Sequence, residues 1–261
     1  MPSTSEDTFP KFRAAMTGLT HQWGFVIVRT AFLSGDDTTD ASQWSAVLSK
    51  LRAYALLSAG AGMDPATFAL PVITDRVLEG ASFGTVRAAF NSWVARYQTE
   101  GAWDSDIRVD CCLVVDSPAM ASLLGPPGSQ PILPSPSPAE PWVIALDATD
   151  PITRPYRGGG LYLGWMRLLA RATGQLFEDL ESQSLSDLCP IRDYDGQVPL
   201  YDGTPHGKLV DPPGGAEGRY RFPSGTPRGM NGEKAILAEI QAAVKRGEET
   251  RRNSRPQTPE T

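Results

Sequence analysis

The chain reads as an α+β protein, a two-layer sandwich in which helices cover one face of a small, ferredoxin-like sheet. Three observations predict this. Four short segments rich in β-branched and aromatic residues alternate with helical stripes. Each stripe is apolar on one side only, so it needs a sheet or another helix to cover it. The apolar segments concentrate between Trp23 and Leu180 of a 261-residue chain, a span suited to a single core. A three-layer α/β sheet is the alternative, because the early β-α-β-α order is compatible with both.

The first element, WGFVIVRTAF at residues 23–32, is almost continuously apolar and is followed by Ser34-Gly35-Asp36-Asp37. Such a run predicts a strand buried on both faces, with Arg29 at its end or edge. Asp40 or Ser42 then opens a helix to about residue 58, where Trp44, Val47, Leu48, Leu51 and Ala55 form one stripe. A second strand is expected over 69–78, pushed towards a sheet edge by Pro71. Ser82 caps the next helix, whose stripe is Val86, Phe90, Trp93, Val94 and Tyr97.

RVDCCLVVD at 108–116 reads as the third strand, and Ser117-Pro118 then starts a short helix to Leu124. PWVIALD at 141–147 is the fourth strand. A last core helix is expected over 161–180 on the stripe Leu161, Trp165, Leu168, Leu169, Ala172, Leu176 and Leu180, although YLGWM within it is also compatible with extended chain. The domain organisation follows: a disordered N-terminus at 1–17, and a domain over 18–185 with a Pro/Ser-rich loop at 125–141. The rest, 186–261, is a mostly disordered tail with one helix near 233–249.

Charge and composition exclude several function classes. A net charge of −6 argues against a protein that grips nucleic acid by neutralising phosphates. The basic cluster Lys245, Arg246, Arg251, Arg252 and Arg255 faintly resembles a two-part nuclear-import signal but also suits a solvated helix end. Three cysteines, two of them adjacent, make no disulfide framework and suit a reducing compartment. No apolar stretch approaches membrane-spanning length, and no secretory signal is recognisable at the N-terminus. The expectation is a cytoplasmic protein, with the nucleus as the alternative.

The search for chemistry is mostly negative. GxGxxG, GxxxxGK[ST], HExxH and GxSxG are all missing. The two histidines, His21 and His206, have no local Cys or carboxylate partner, so no metal site is expected, and no cofactor motif is present. The remaining candidates are carboxylates. Asp116 and Asp147 both close strands, and would converge if those strands were parallel neighbours, forming a pair able to do acid–base work. Each also suits a simpler role as a helix cap or turn former. Tyr162, Trp165 and Arg29 are the candidate ligand-binding residues, placed where a pocket between sheet and helices could form.

The segments WGFVIVRT at 23–30, FNSWVARY at 90–97 and LYLGWM at 161–166 resemble a family of uncharacterised proteins common in filamentous fungi. The resemblance covers roughly residues 20–200. It carries no assigned activity, so it transfers no catalytic residue, and it implies at most a fungal intracellular protein. The functional expectation is a non-catalytic module that binds a small metabolite or a partner protein. The alternative is a cofactor-independent enzyme acting on a small metabolite.

Overall fold

A computed structural model describes residues 19, 21–32, 37–60, 62–99, 105–125, 140–151, 162–190, 197–205 and 207–210. All of them belong to one compact unit, Met1–Tyr220. The expected N-terminal segment 1–17 and the helix near 233–249 lie outside the described residues, as does most of the Pro/Ser-rich loop.

The strands are β1 (Trp23–Arg29), β2 (Phe68–Ala69), β3 (Val72–Thr74), β4 (Asp106–Val115), β5 (Trp142–Asp147), β6 (Trp165–Leu169), β7 (Val198–Tyr201) and β8 (Lys208–Val210). They form one mixed sheet in the order β2-β1-β4-β5-β6-β7-β8, with β3 continuing β2 along the same side of β1. β2, β3 and β4 all run parallel to β1. β5 is antiparallel to both β4 and β6. β7 is parallel to β6, and β8 is antiparallel to β7.

Sequence explains the ends of this sheet. The strand expected over 69–78 is broken into β2 and β3 at Leu70-Pro71, and it lies on the edge, where a residue without an N–H does least harm. The Pro71 carbonyl still accepts from the Ile27 N–H at 2.8 Å. Gly24 has φ +141°, and a Cβ there would stand 2.1 Å from the Ala69 carbonyl oxygen, so only glycine permits this approach of β1 to β2.

The helices are α1 (Asp37–Leu57), α2 (Phe83–Thr99), α3 (Ser117–Leu124), α4 (Thr173–Asp179) and α5 (Leu185–Leu188). Alternate residues of β1 assign them to the two faces. Phe25 and Ile27 share a core with Trp44, Val47, Leu51 and Ala55 of α1, with Ala119 and Leu123 of α3, and with Leu176 and Phe177 of α4. Val26 and Val28 share the opposite core with Val86, Phe90, Trp93 and Tyr97 of α2. All seven residues of β1 are buried, and burial of each large apolar side chain stabilises by about 1.5–3 kcal/mol. On the α2 face Trp93 stacks on Tyr97 at 4.9 Å and on Phe90 at 6.4 Å.

The mixed α+β class holds, but the two-layer, ferredoxin-like arrangement is not borne out. The sheet has eight strands instead of four, and apolar helices cover both of its faces. Two further expectations need correction. The helix placed over 161–180 begins as a strand, β6, because residues 165–169 pair with Trp142–Leu146 of β5. The apolar residues at 165, 168 and 169 suit either structure, and helix resumes only from Ala170. The sheet also runs past residue 185: β7 and β8 each bury most of their side chains, with Tyr201 fully buried.

Among the described residues no helix is long and apolar enough to cross a membrane.

Candidate functional site

Three loops leave the carboxyl ends of the parallel strands β1, β3 and β4. Together they line a cleft of about 620 Å³: Thr30 and Phe32 after β1, Glu79 to Phe83 after β3, and Asp116 to Pro118 after β4. The chain leaves β1 through α1 towards β2 and β3, and leaves β4 through α3 towards β5 on the other side. The two connections diverge, and such a divergence opens a crevice at the carboxyl ends of an α/β sheet.

Backbone hydrogen bonds hold the three loops against each other. The Thr30 N–H donates to the Val115 carbonyl (3.1 Å), and the Gly80 N–H donates to the Thr30 carbonyl (3.0 Å). Gly80 has φ +62°, the left-handed turn that lets the chain reverse into α2. Ser82 then caps α2, accepting from the Thr85 N–H at 3.3 Å. The N-termini of α2 and α3 both border the cleft, which favours acceptor groups there.

Asp116 and Glu79 are the carboxylates that line this cleft. The Asp116 Oδ1 accepts from the Ala119 N–H at 2.8 Å and caps α3, the simpler role that the sequence also allowed it. Burial raises its proton affinity above the ordinary carboxylate value, and the Ala119 N–H and the charge of Arg167 only partly offset this. Arg167 on β6 shows the reciprocal effect: burial lowers its pKa, and Asp116 opposes that. The Arg167 guanidinium lies over the Trp142 ring, 4.1 Å from its centroid.

The other candidates are placed elsewhere. Asp147 does not meet Asp116, because β4 and β5 are antiparallel and Asp147 pairs with Cys111, five residues before Asp116. That separation is roughly 16 Å along the strand. Asp147 is 1% exposed. Its carboxylate accepts from the Tyr162 hydroxyl and from the Thr149 N–H, both at 2.8 Å, which makes it a structural anchor. Tyr162 is therefore committed to Asp147. Trp165 packs against Phe83 with ring centroids 5.1 Å apart, so it supports the cleft from behind through a residue that lines it.

Arg29 ends β1 beside the cleft but points away into a buried ion pair. Its Nη2 donates to Asp40 in the first turn of α1, and its Nε donates to the Ala31 carbonyl at 2.8 Å. The guanidinium sits between Phe32 (4.4 Å) and Trp44 (4.6 Å). It fixes the Phe32 wall without offering its charge to a ligand.

Sequence reasoning named Asp116 but missed Glu79, and saw Ser82 only as a cap. The missing signal was topological. Once 68–74 and 106–115 are parallel neighbours of β1, the loops following all three strands must share one edge.

Among the described residues no group of three or more His, Cys, Asp or Glu converges to hold a metal ion. Cys111, Cys112 and Cys189 are buried and form no disulfide. Burial is the main cause raising the thiol pKa of both Cys111 and Cys112, so neither is primed as a nucleophile. Comparison of the chain with family models, with curated proteins and with solved structures finds no match.

Proposed function

We propose that this chain is a small-molecule-binding module whose ligand sits in the cleft between the carboxyl ends of β1 and β4. The observation that carries the reading is the cleft itself. It lies where the connections from β1 and β4 diverge, is walled by Phe32 and Phe83, and is studded with Thr30, Ser82, Ser117 and Asp116. An apolar wall with a few convergent polar groups is the usual composition of a ligand pocket. The test is a thermal-shift screen of metabolites against the full chain, since a ligand that binds only the folded state raises its melting temperature. The absence of any shift at millimolar concentrations would turn the reading towards a protein partner.

A second reading, a cofactor-independent enzyme, rests on the half-buried carboxyl of Asp116, whose raised proton affinity suits proton transfer. It requires turnover of a bound ligand that Asp116→Asn abolishes without loss of binding. Buried thiols outside any disulfide support a reducing compartment for either reading.

A further inference from the structure

We propose that the cleft ligand is an organic monocation, a primary amine with an apolar tail whose ammonium group meets the carboxylates of Asp116 and Glu79. This rests on the cleft being a ligand site, and it adds the ligand's chemistry.

Every polar side chain of the lining is a carboxylate or a hydroxyl: Asp116 and Glu79, with Thr30, Ser82 and Ser117. Among the described residues no Lys, Arg or His lines the cleft beside them. Such a lining accepts hydrogen bonds but supplies no charged donor, so it suits a ligand that brings its own. Asp116 is half-buried and uses Oδ1 for the α3 cap. Among the described residues no side chain donates to either of its oxygens, and no ion pair reaches it or the exposed Glu79.

The neighbouring cations are already engaged. Arg29 pairs with Asp40, and Arg76 with Asp37 at 2.8 Å. Arg167 acts on Asp116 through space, but it lies over Trp142, outside the lining. The N-termini of α2 and α3 each bring about half a positive charge to the cleft. Two carboxylates against two such ends leave about one net negative charge, which suits one ammonium group and repels a carboxylate or phosphate.

The apolar lining sets the rest of the molecule. The Arg29 guanidinium packs on Phe32 at 4.4 Å and the Trp165 ring on Phe83 at 5.1 Å, so both walls are held in place. With Ala81 and Pro118 they give the cleft a side for a hydrocarbon or aromatic tail, within a volume of about 620 Å³ that admits the whole molecule. A bare metal ion would leave these walls without a role.

The test is calorimetric titration of the full chain with phenethylamine, tryptamine and isopentylamine. Each is matched by its neutral alcohol (2-phenylethanol, tryptophol or isopentanol), and 3-phenylpropionate serves as the anion. At least one amine should bind about tenfold or more tightly than its alcohol, and the anion more weakly than either. Asp116→Asn, which keeps an α3 cap, should remove most of that preference while leaving the alcohol's binding unchanged. Glu79→Gln, at an exposed position, should reduce the preference about two- to fivefold. An alcohol or anion binding as tightly as the amine, a preference unchanged in Asp116→Asn, or no binding by any amine would overturn the assignment. If a neutral or anionic metabolite from the wider screen then bound the parent but not the cleft-filling Ala81→Phe, the cleft would stand as a ligand site without the amine. If no metabolite did so, both would fall.

Discussion

The ion pair between Arg29 and Asp40 is buried on both sides, with side chains 5% and 9% exposed. Removing one partner strands the other charge, at a cost of about 3–5 kcal/mol. Arg29→Met should therefore lower the unfolding free energy by that amount in urea titrations, and adding Asp40→Leu should recover part of it. A loss under 1 kcal/mol would mean that water reaches the pair. Asp116 makes a different prediction. Its folded proton affinity is raised, so its contribution to stability is full below the ordinary carboxylate pKa and declines as pH rises through the folded value. Stability measured upward from about pH 4 should fall less in Asp116→Asn than in the parent. Asp116→Ala should cost about 1 kcal/mol more than Asn through loss of the cap. The thiols of Cys111, Cys112 and Cys189 should resist alkylation until denaturant is added. Rapid labelling of the native chain would contradict their burial.

Among the elements, β1, α1 and α2 were legible because their patterns are strong: a solid apolar strand in the first case, a one-sided stripe in the other two. β6 was not, since five apolar-rich residues fit a strand or one helical turn, and only pairing with β5 decides between them. β7 and β8 were missed because two short segments among turn residues carry no period of their own. They are strands because β6 offers them an edge. A chain ending at residue 190 should therefore lose cooperative unfolding. It would uncover β6 and remove the Tyr201 hydroxyl that binds Asp179 of α4. Cooperative melting at the parent temperature would show that β7 and β8 are dispensable. Gly174 reports on the junction of α1 and α4. A Cβ there would stand 2.6 Å from both the Ala55 carbonyl oxygen and the Ala59 nitrogen, which are backbone atoms and cannot turn aside. Gly174→Ala should destabilise by about 1–3 kcal/mol despite alanine's better helix propensity.

For the whole molecule, what the sequence could not show was strand order. Asp116 and Asp147 both end strands, and their expected convergence depended on a parallel pairing that β4 and β5 do not make. The same order that separates them brings the loops after β1, β3 and β4 together, and with them the cleft. Local pattern cannot reveal this, because it depends on which distant segments pair. The central claim is that this cleft holds a small polar molecule. The most direct measurement compares ligand-induced thermal shifts in the parent chain and in Ala81→Phe, which fills the cleft from a partly exposed position on its wall. The account predicts that a metabolite raising the melting temperature of the parent leaves Ala81→Phe unmoved, while the two ligand-free proteins melt within about 4 °C of each other. An equal shift in Ala81→Phe would place the ligand elsewhere and contradict the claim.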